Sequence, residues 1–267
     1  METKKWVPPQ FIRPLSLEMA EKISKKIFND ITTGKTQVKD ARTFIVIGTP
    51  GSGKSTITGS FVEKQYPSIG KNYVVIDFDT FVEYHPDYLS TKSIKFTDGT
   101  RASFGSAIGY IDCVREMAPL MQNIFKKLFS YEYNYIVHTH SMEDFYAFVE
   151  LSFNRAKVNF IYIYVDLEIA IKRARIRAIT TGKFLGLNLK SQDEYIKDLH
   201  GKYLFAVPLF RRLSIDFYII NNSADQKIEE YKWVKMPTPD YEKISQHDHE
   251  IVESVGINVY EPGFRFY

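Results

Sequence analysis

The sequence predicts an α/β protein, a three-layer α/β/α domain around a mainly parallel five-stranded sheet. Three observations carry that expectation. Short apolar runs rich in β-branched and aromatic residues recur at Thr43-Phe44-Ile45-Val46-Ile47, Tyr73-Val74-Val75-Ile76-Asp77, Tyr135-Ile136-Val137-His138, Phe160-Ile161-Tyr162-Ile163-Tyr164-Val165 and Phe217-Tyr218-Ile219-Ile220, the pattern of buried parallel strands. Segments of helical period separate them, as in a sheet covered on both faces. The first run leads straight into a glycine-rich turn and then a helical segment.

The elements follow in order. Residues 1–14 read as extended, because Pro8, Pro9 and Pro14 oppose a helix. Ser16 to Ile31 reads as an amphipathic helix with Ser16 as N-cap and Leu17, Ala20, Ile23, Ile27 and Ile31 on one face. After the second strand a loop is expected to run to Gly105, with a turn at Asp98-Gly99. Residues 106–129 carry helical spacing, and Pro119 is expected to kink or divide them. Further helices are expected at 143–155, at Glu168 to Thr180 and at Ser191 to Leu204. The chain thus divides into an N-terminal extension and helix (1–40), a central domain (41–225) and a charged, proline-containing tail (226–267) read as packing peripherally on it.

The bulk numbers narrow the class. A net charge of +3 and a pI near 8.6 demand no nucleic-acid partner. Cys113 is the single cysteine, which excludes an internal disulfide framework and fits a reducing compartment. The first residues carry no apolar secretory region, and no apolar run approaches the ~18 residues of a membrane helix. A cytoplasmic protein is expected.

Gly48-Thr49-Pro50-Gly51-Ser52-Gly53-Lys54-Ser55-Thr56 is G-x-x-x-x-G-K-[ST], the P-loop pattern. Its glycines let consecutive backbone N–H groups surround phosphate oxygens. Lys54 would reach the outer phosphates and the Ser55 hydroxyl would hold Mg²⁺. The helix from Ser55 to Lys64 would face the phosphates with its positive end. Asp77 and Asp79, two apart at the end of the second strand, are expected to point the same way, where open α/β sheets bind ligands. A carboxylate there can take a hydroxyl proton or orient Mg²⁺, or it can cap the next helix. Lys172, Arg173, Arg175, Arg177 and Lys183 crowd one helix and the Thr181-Gly182-Lys183-Phe184-Leu185-Gly186 loop. Arg173 and Arg177 share a face at i, i+4 while Arg175 projects elsewhere. Arginines so placed either stabilise charge on a transferred phosphoryl group or form a solvated basic face. His138, Thr139 and His140 close the third strand, as pocket lining or as strand-end polar groups. A metal site there lacks a Cys/His partner cluster. His85 before Pro86 is a pocket or turn residue.

The P-loop, then Val75-Ile76-Asp77-Phe78-Asp79-Thr80-Phe81 and His85-Pro86-Asp87-Tyr88, then Arg173-Ala174-Arg175-Ile176-Arg177 with Thr181-Gly182-Lys183, resemble the zeta-toxin family of P-loop kinases. Lys202-Tyr203 and Asn221-Asn222-Ser223 match weaker landmarks, so the resemblance spans roughly residues 40–225. It implies a P-loop kinase fold. It also implies transfer of the γ-phosphate of ATP or GTP, with Mg²⁺, to a hydroxyl of a small molecule such as UDP-N-acetylglucosamine, and an antitoxin that holds the enzyme inactive. Asp79 matches the family's catalytic base. Lys54 and Ser55 match its phosphate and Mg²⁺ ligands, and Arg177 and Arg173 its phosphate-binding arginines. Asp77, His85, Arg101, His138, Thr139 and His140 are the candidates for acceptor contact, and Asp79 with Ser55 for the metal. The chain departs from the family where an acidic residue and a Gly-Thr pair would contact the sugar nucleotide. His138-Thr139-His140 stands there, and Gln122 stands where a further acidic pocket residue would fall. Both changes remove negative charge from the acceptor side. A polynucleotide 5′-hydroxyl kinase, a nucleotide-dependent switch and a kinase without acceptor activity are the competing readings.

Overall fold

The computed structural model describes residues 14–88, 99–139, 148, 157–181, 189–213, 216–223 and 233–236. They fall into two compact units. The first holds residues 1–33, 77–130 and 175–193, and the second holds 34–76, 131–174 and 194–267.

The second unit carries the sheet. Its strands are β1 (Arg42–Ile47), β2 (Val74–Asp77, whose last residue opens the first unit), β3 (Tyr135–His138), β4 (Lys157–Tyr164), β5 (Phe217–Asn221) and β6 (Trp233–Met236). Among the described residues their order is β2-β3-β1-β4-β5-β6. β1 pairs in parallel with β3 and with β4, β4 pairs in parallel with β5, and β6 runs antiparallel to β5. The five expected strands are all present. The sixth lies in the stretch read as a peripheral tail. Trp-Val-Lys-Met is only four residues long and Pro237 follows it. So short a run gives little periodicity, and proline ends a strand by removing a ladder donor.

Helix α2 (Lys54–Gln65) covers one face of the sheet. Ile57, Phe61 and Val62 pack with Phe44, Val46, Ile136, Ile161, Ile163, Tyr218 and Ile220 in one buried cluster. Each such side chain contributes roughly 1.5–3 kcal/mol when fully buried. Among the elements of this unit, the 194–213 part of α6 (Leu189–Leu213) supplies the opposite layer, where Tyr203 meets Thr139 and the His200 ring lies 5.9 Å from that of Tyr164. At the N-terminal edge of the strands a polar network closes the sheet. The Tyr66 hydroxyl lies 2.9 Å from Asp216 Oδ2 and 2.7 Å from the Tyr218 hydroxyl, and the Arg42 guanidinium lies 4.9 Å from the Tyr66 ring centre.

The first unit is helical. α1 (Leu17–Thr32) begins where the sequence places it, with the Ser16 hydroxyl accepting from the Met19 N–H. Its buried Ile23 and Ile27 lie on the face the periodicity selects. α1 and the short α3 (Phe78–Val82) both pack on α4 (Gly99–Leu128). Phe81 meets Phe125 at 5.9 Å between ring centres, and the Tyr84 hydroxyl donates to Asp30. One expectation changes here, and of the two outcomes expected at Pro119 division does not occur. The loop expected up to Gly105 is already helical from Gly99, and α4 continues through Pro119 without dividing. Proline removes one N–H donor from the ladder. In α4 the packing residues Met117, Met121, Ile124 and Leu128, all buried, continue the apolar face on both sides of it. α5 (Leu167–Thr181) begins in the second unit and ends in the first. The helix expected over 143–155, Phe148 aside, lies outside the described residues, as do residues 182–186 of the Gly-containing loop with Lys183, His140, and all of the tail but Trp233–Met236.

Candidate active site

The P-loop joins β1 to α2 in the second unit. Gly51 has φ +86° and Gly53 φ +90°, backbone that side chains other than hydrogen rarely adopt. Neighbours reinforce both choices. A Cβ at Gly51 would strike the Ala170 carbonyl at the start of α5, and one at Gly53 would lie 2.6 Å from the Asn222 Nδ2. Gly53 is the N-cap of α2 and offers no side chain to cap it. The positive end of the helix is therefore open to an anion. Lys54 extends back along the loop, its ammonium donating to the Gly48 carbonyl. Ser55 and Thr56 are exposed in the first turn, while Thr49 and Ser52 are buried. An exposed hydroxyl at this point fits a Mg²⁺ ligand. The ion takes most of its oxygens from phosphates and water rather than from a protein cage. Among the described residues no three His, Cys, Asp or Glu side chains cluster to make such a cage.

Of the residues that the sequence singled out only as landmarks, Asn222 holds this loop and Tyr203 lies against the end of β3. The Asn222 amide donates to the Ser52 carbonyl at 2.7 Å, and the Asn222 carbonyl accepts from Arg173 Nη1 at 2.9 Å. Tyr203 of α6 reaches Thr139, whose hydroxyl donates to the Val46 carbonyl at 3.1 Å. An Asn just past a strand end is the signal that could have found the first contact, and a lone Tyr on a helix gives none for the second. His138 pairs with Val46 in the β1–β3 register and so lies on the α2 side of the sheet, buried.

In the first unit Asp77 and Asp79 do not act as a strand-end pair. The strand stops at Asp77, whose carboxylate caps α3 by accepting from the Asp79 N–H at 3.0 Å. Asp79 belongs to the first helical turn, so period-two geometry does not relate them. The helix starts here because Asp77 satisfies one of its orphan N–H groups. Asp79 Oδ2 faces Arg177 Nη1 at 3.8 Å. His85 is buried and its Nδ1 accepts from the Asp87 N–H. Tyr88, fully buried, has its phenol pushed well above the usual range, first by burial and then by the Glu83, Asp79 and Cys113 groups around it. Arg175 is committed elsewhere, in a two-pronged pair with the Asp193 carboxylate. Gln122 is on the exposed side of α4. Arg101 falls in the first turns of α4, and its side chain lies outside the described residues.

A parallel sheet with a P-loop between its central strand and the next helix defines a nucleotide-binding P-loop protein, and an aspartate facing an arginine on neighbouring helices suits phosphoryl transfer. The Zeta toxin family model matches residues 25–187, more than half of the chain, and the chain belongs to that family. Membership supports a nucleotide-dependent kinase. Solved structures agree on the fold. The chain is similar to one from the PezAT chromosomal toxin–antitoxin system of Streptococcus pneumoniae, with a TM-score of 0.59 and 16% identity over 91% of this chain and 95% of that one. It is also similar to a chain of the AvrRxo1-ORF1:-ORF2 structure with ATP, with a TM-score of 0.53 and 13% identity over 93% and 74%. No curated protein matches the chain in sequence. Among the described residues no helix is long and apolar enough to cross a membrane.

Proposed function

We propose that this chain transfers the γ-phosphate of ATP or GTP to a hydroxyl of a small metabolite, a nucleotide-linked sugar such as UDP-N-acetylglucosamine being the first candidate. The observation that supports it most is the Asp79 carboxylate facing the Arg177 guanidinium, a proton acceptor beside a phosphate ligand. Asp79 takes the proton of the acceptor hydroxyl as its oxygen bonds to the γ-phosphorus. The bond from phosphorus to the bridging oxygen breaks, and the electron pair leaves with the nucleoside diphosphate. Lys54, Arg173 and Arg177 neutralise the charge that develops on the transferred group. The backbone of Gly48 to Thr56 holds the phosphates. Ser55, with Asp79 as a further candidate, would hold Mg²⁺, which supplies charge neutralisation when bound.

On the acceptor side Asp77 and Thr139 already spend hydrogen bonds within the protein. His85, itself bonded to the Asp87 N–H, and Arg101, His138 and His140 are the further candidates for acceptor contact. Histidines in place of acids favour an acceptor that carries negative charge or offers hydrogen-bond acceptors. A neighbour described as part of a toxin–antitoxin system supports an antitoxin-like protein partner for this chain too.

The test is to incubate the protein with γ-labelled ATP and a metabolite extract, identify the labelled product, and repeat with Asp79→Asn. The variant is expected to bind nucleotide normally and to lose transfer by about 10²–10⁴-fold. Unchanged transfer would remove Asp79 from the base role. The absence of any labelled product from the wild type would favour a nucleotide-binding protein without acceptor activity. A labelled polynucleotide, with acceptor affinity falling steeply with salt, would favour the 5′-hydroxyl kinase.

A further inference from the structure

Asn222 follows the last residue of β5 and is 6% exposed. Three of its polar groups, the N–H, the side-chain Nδ2 and the backbone carbonyl, have a use within the second unit. Its N–H donates to the Tyr164 carbonyl at 2.9 Å, which anchors it to the neighbouring strand. Its amide donates to Ser52 in the P-loop, and its own carbonyl accepts from Arg173 on α5. We propose that Asn222 is a positioning residue for phosphoryl transfer, tying the phosphate-binding backbone to one of the arginines that neutralise the transferred group. The proposal rests on the kinase reading above.

The physical argument starts from the peptide plane. The Ser52 carbonyl and the Gly53 N–H belong to one planar trans peptide and point in opposite directions. Holding the carbonyl toward Asn222 therefore turns the Gly53 N–H away from it. That N–H is among the P-loop groups that the motif assigns to phosphate. The approach is close enough that Gly53 must lack a Cβ. A backbone donor fixed in advance loses no entropy when the phosphate arrives. At the other end, the bond from Arg173 to the Asn222 carbonyl uses one of five guanidinium donors and sets the plane of the group. The two ends meet in one residue that is itself pinned to β4. A shift of Asn222 moves both the P-loop donor and the arginine.

The test uses Asn222→Ala, Asn222→Leu, Arg173→Ala and the double variant Asn222→Leu with Arg173→Ala. Leu keeps the branched shape of the amide and removes the donor, so it guards against an Ala cavity that unfolds the protein. Mg²⁺-ATP and Mg²⁺-ADP affinities are measured by calorimetry beside the melting temperature. The Leu variant is expected to stay folded with a lowered melting temperature and to lose about tenfold in affinity for both nucleotides, the scale of one buried hydrogen bond. Arg173→Ala is expected to weaken ATP more than ADP, and by less in the Leu background than in the wild type. A merely structural Asn222 would leave the two substitutions additive. Wild-type affinities in the Leu variant, additive effects, or an Arg173→Ala variant that keeps its full preference for ATP would each overturn the proposal. The last arm decides the matter even where neither Asn222 variant folds. A wild type that binds no nucleotide at all would overturn the kinase reading and this proposal with it. A wild type that binds and transfers, with a Leu variant indistinguishable from it, would overturn this proposal alone.

Discussion

The phosphate cradle of the second unit and the Asp79 region of the first are built in different ways. The cradle is backbone. Its shape comes from a strand, a turn with two glycines at positive φ and the open end of a helix, all within the contiguous stretch from Arg42 to Gln65. The Asp79 region is side chains. Asp79 comes from α3, Arg177 from the end of α5, and His85 from the segment after α3, so residues nearly a hundred positions apart in the chain supply one carboxylate–guanidinium pair. Chemistry held in backbone changes only if the chain path changes. Chemistry held in side chains can be altered one substitution at a time. This chain carries the P-loop pattern in full, while the resemblance to its family implies departures at side chains, at His138 to His140 and Gln122. On the kinase reading proposed above, a phosphate cradle made of backbone is fixed by folding, while contacts made by side chains can vary on the same fold.

The comparison breaks most visibly at Gly51. A side chain there must adopt φ +86° and also displace the Ala170 backbone. The strain alone amounts to about 1–3 kcal/mol. The collision is with main chain that cannot turn aside. Gly51→Ala is expected to lower Mg²⁺-ATP affinity by about 100-fold or more, read by calorimetry, with a lower melting temperature. Near-normal affinity would mean that the cradle is not a rigid backbone device and that the contrast with the Asp79 region is false.

A second prediction tests the second unit through its titratable groups. His200 is buried against Tyr164, and burial holds its pKa below the ordinary value, with the Asp166 carboxylate acting weakly in the opposite sense. Below about pH 6.5 the unfolded chain therefore binds a proton that the folded chain resists. Stability falls as pH drops, by at most about 1.4 kcal/mol per pH unit for this one site. The phenols act at the other end. Burial and the Glu63 carboxylate push Tyr73 up to about 12, and burial, Tyr218 and Asp216 push Tyr66 higher still. Above about pH 10 the unfolded chain loses protons that the fold retains, and stability falls again. Melting temperature should therefore plateau between these limits. His200→Gln should flatten the acid limb and leave the alkaline one. An unchanged acid limb would remove His200 from the account.

Much of this was legible in the sequence because the signals are local. Five strands announce themselves as apolar runs, Ser16 as a cap, and the cradle as nine consecutive residues. What escaped depends on partners distant in the chain or on very short elements. Four residues of β6 carry too little periodicity. Asp77 and Asp79 read as pointing the same way because their spacing does not say that a helix begins at Phe78; capping of that helix, the other reading the sequence offered, is what Asp77 does. The Asn222 contact spans 170 residues. An amide that bonds to a backbone carbonyl needs no complementary side chain, so no sequence pattern marks its target.

The smallest expected effect separates the arginines of α5. Arg173, Arg175 and Arg177 look alike in the sequence, and helical spacing alone sets Arg175 apart. Arg173 bonds to Asn222, Arg177 faces Asp79, and Arg175 forks onto Asp193. The Arg175 side chain is 48% exposed, and an exposed ion pair contributes little to stability because water and salt screen it. Asp193 raises the Arg175 pKa further, so the guanidinium stays charged throughout and no pH dependence is expected from it. Arg175→Ala should leave nucleotide affinity and transfer within about twofold of wild type and barely move the melting temperature. Arg173→Ala and Arg177→Ala should each reduce transfer by about 10²-fold or more. Equal losses from all three would mean that the whole basic face serves the phosphoryl group, and that the pair with Asp193 gives way when nucleotide binds.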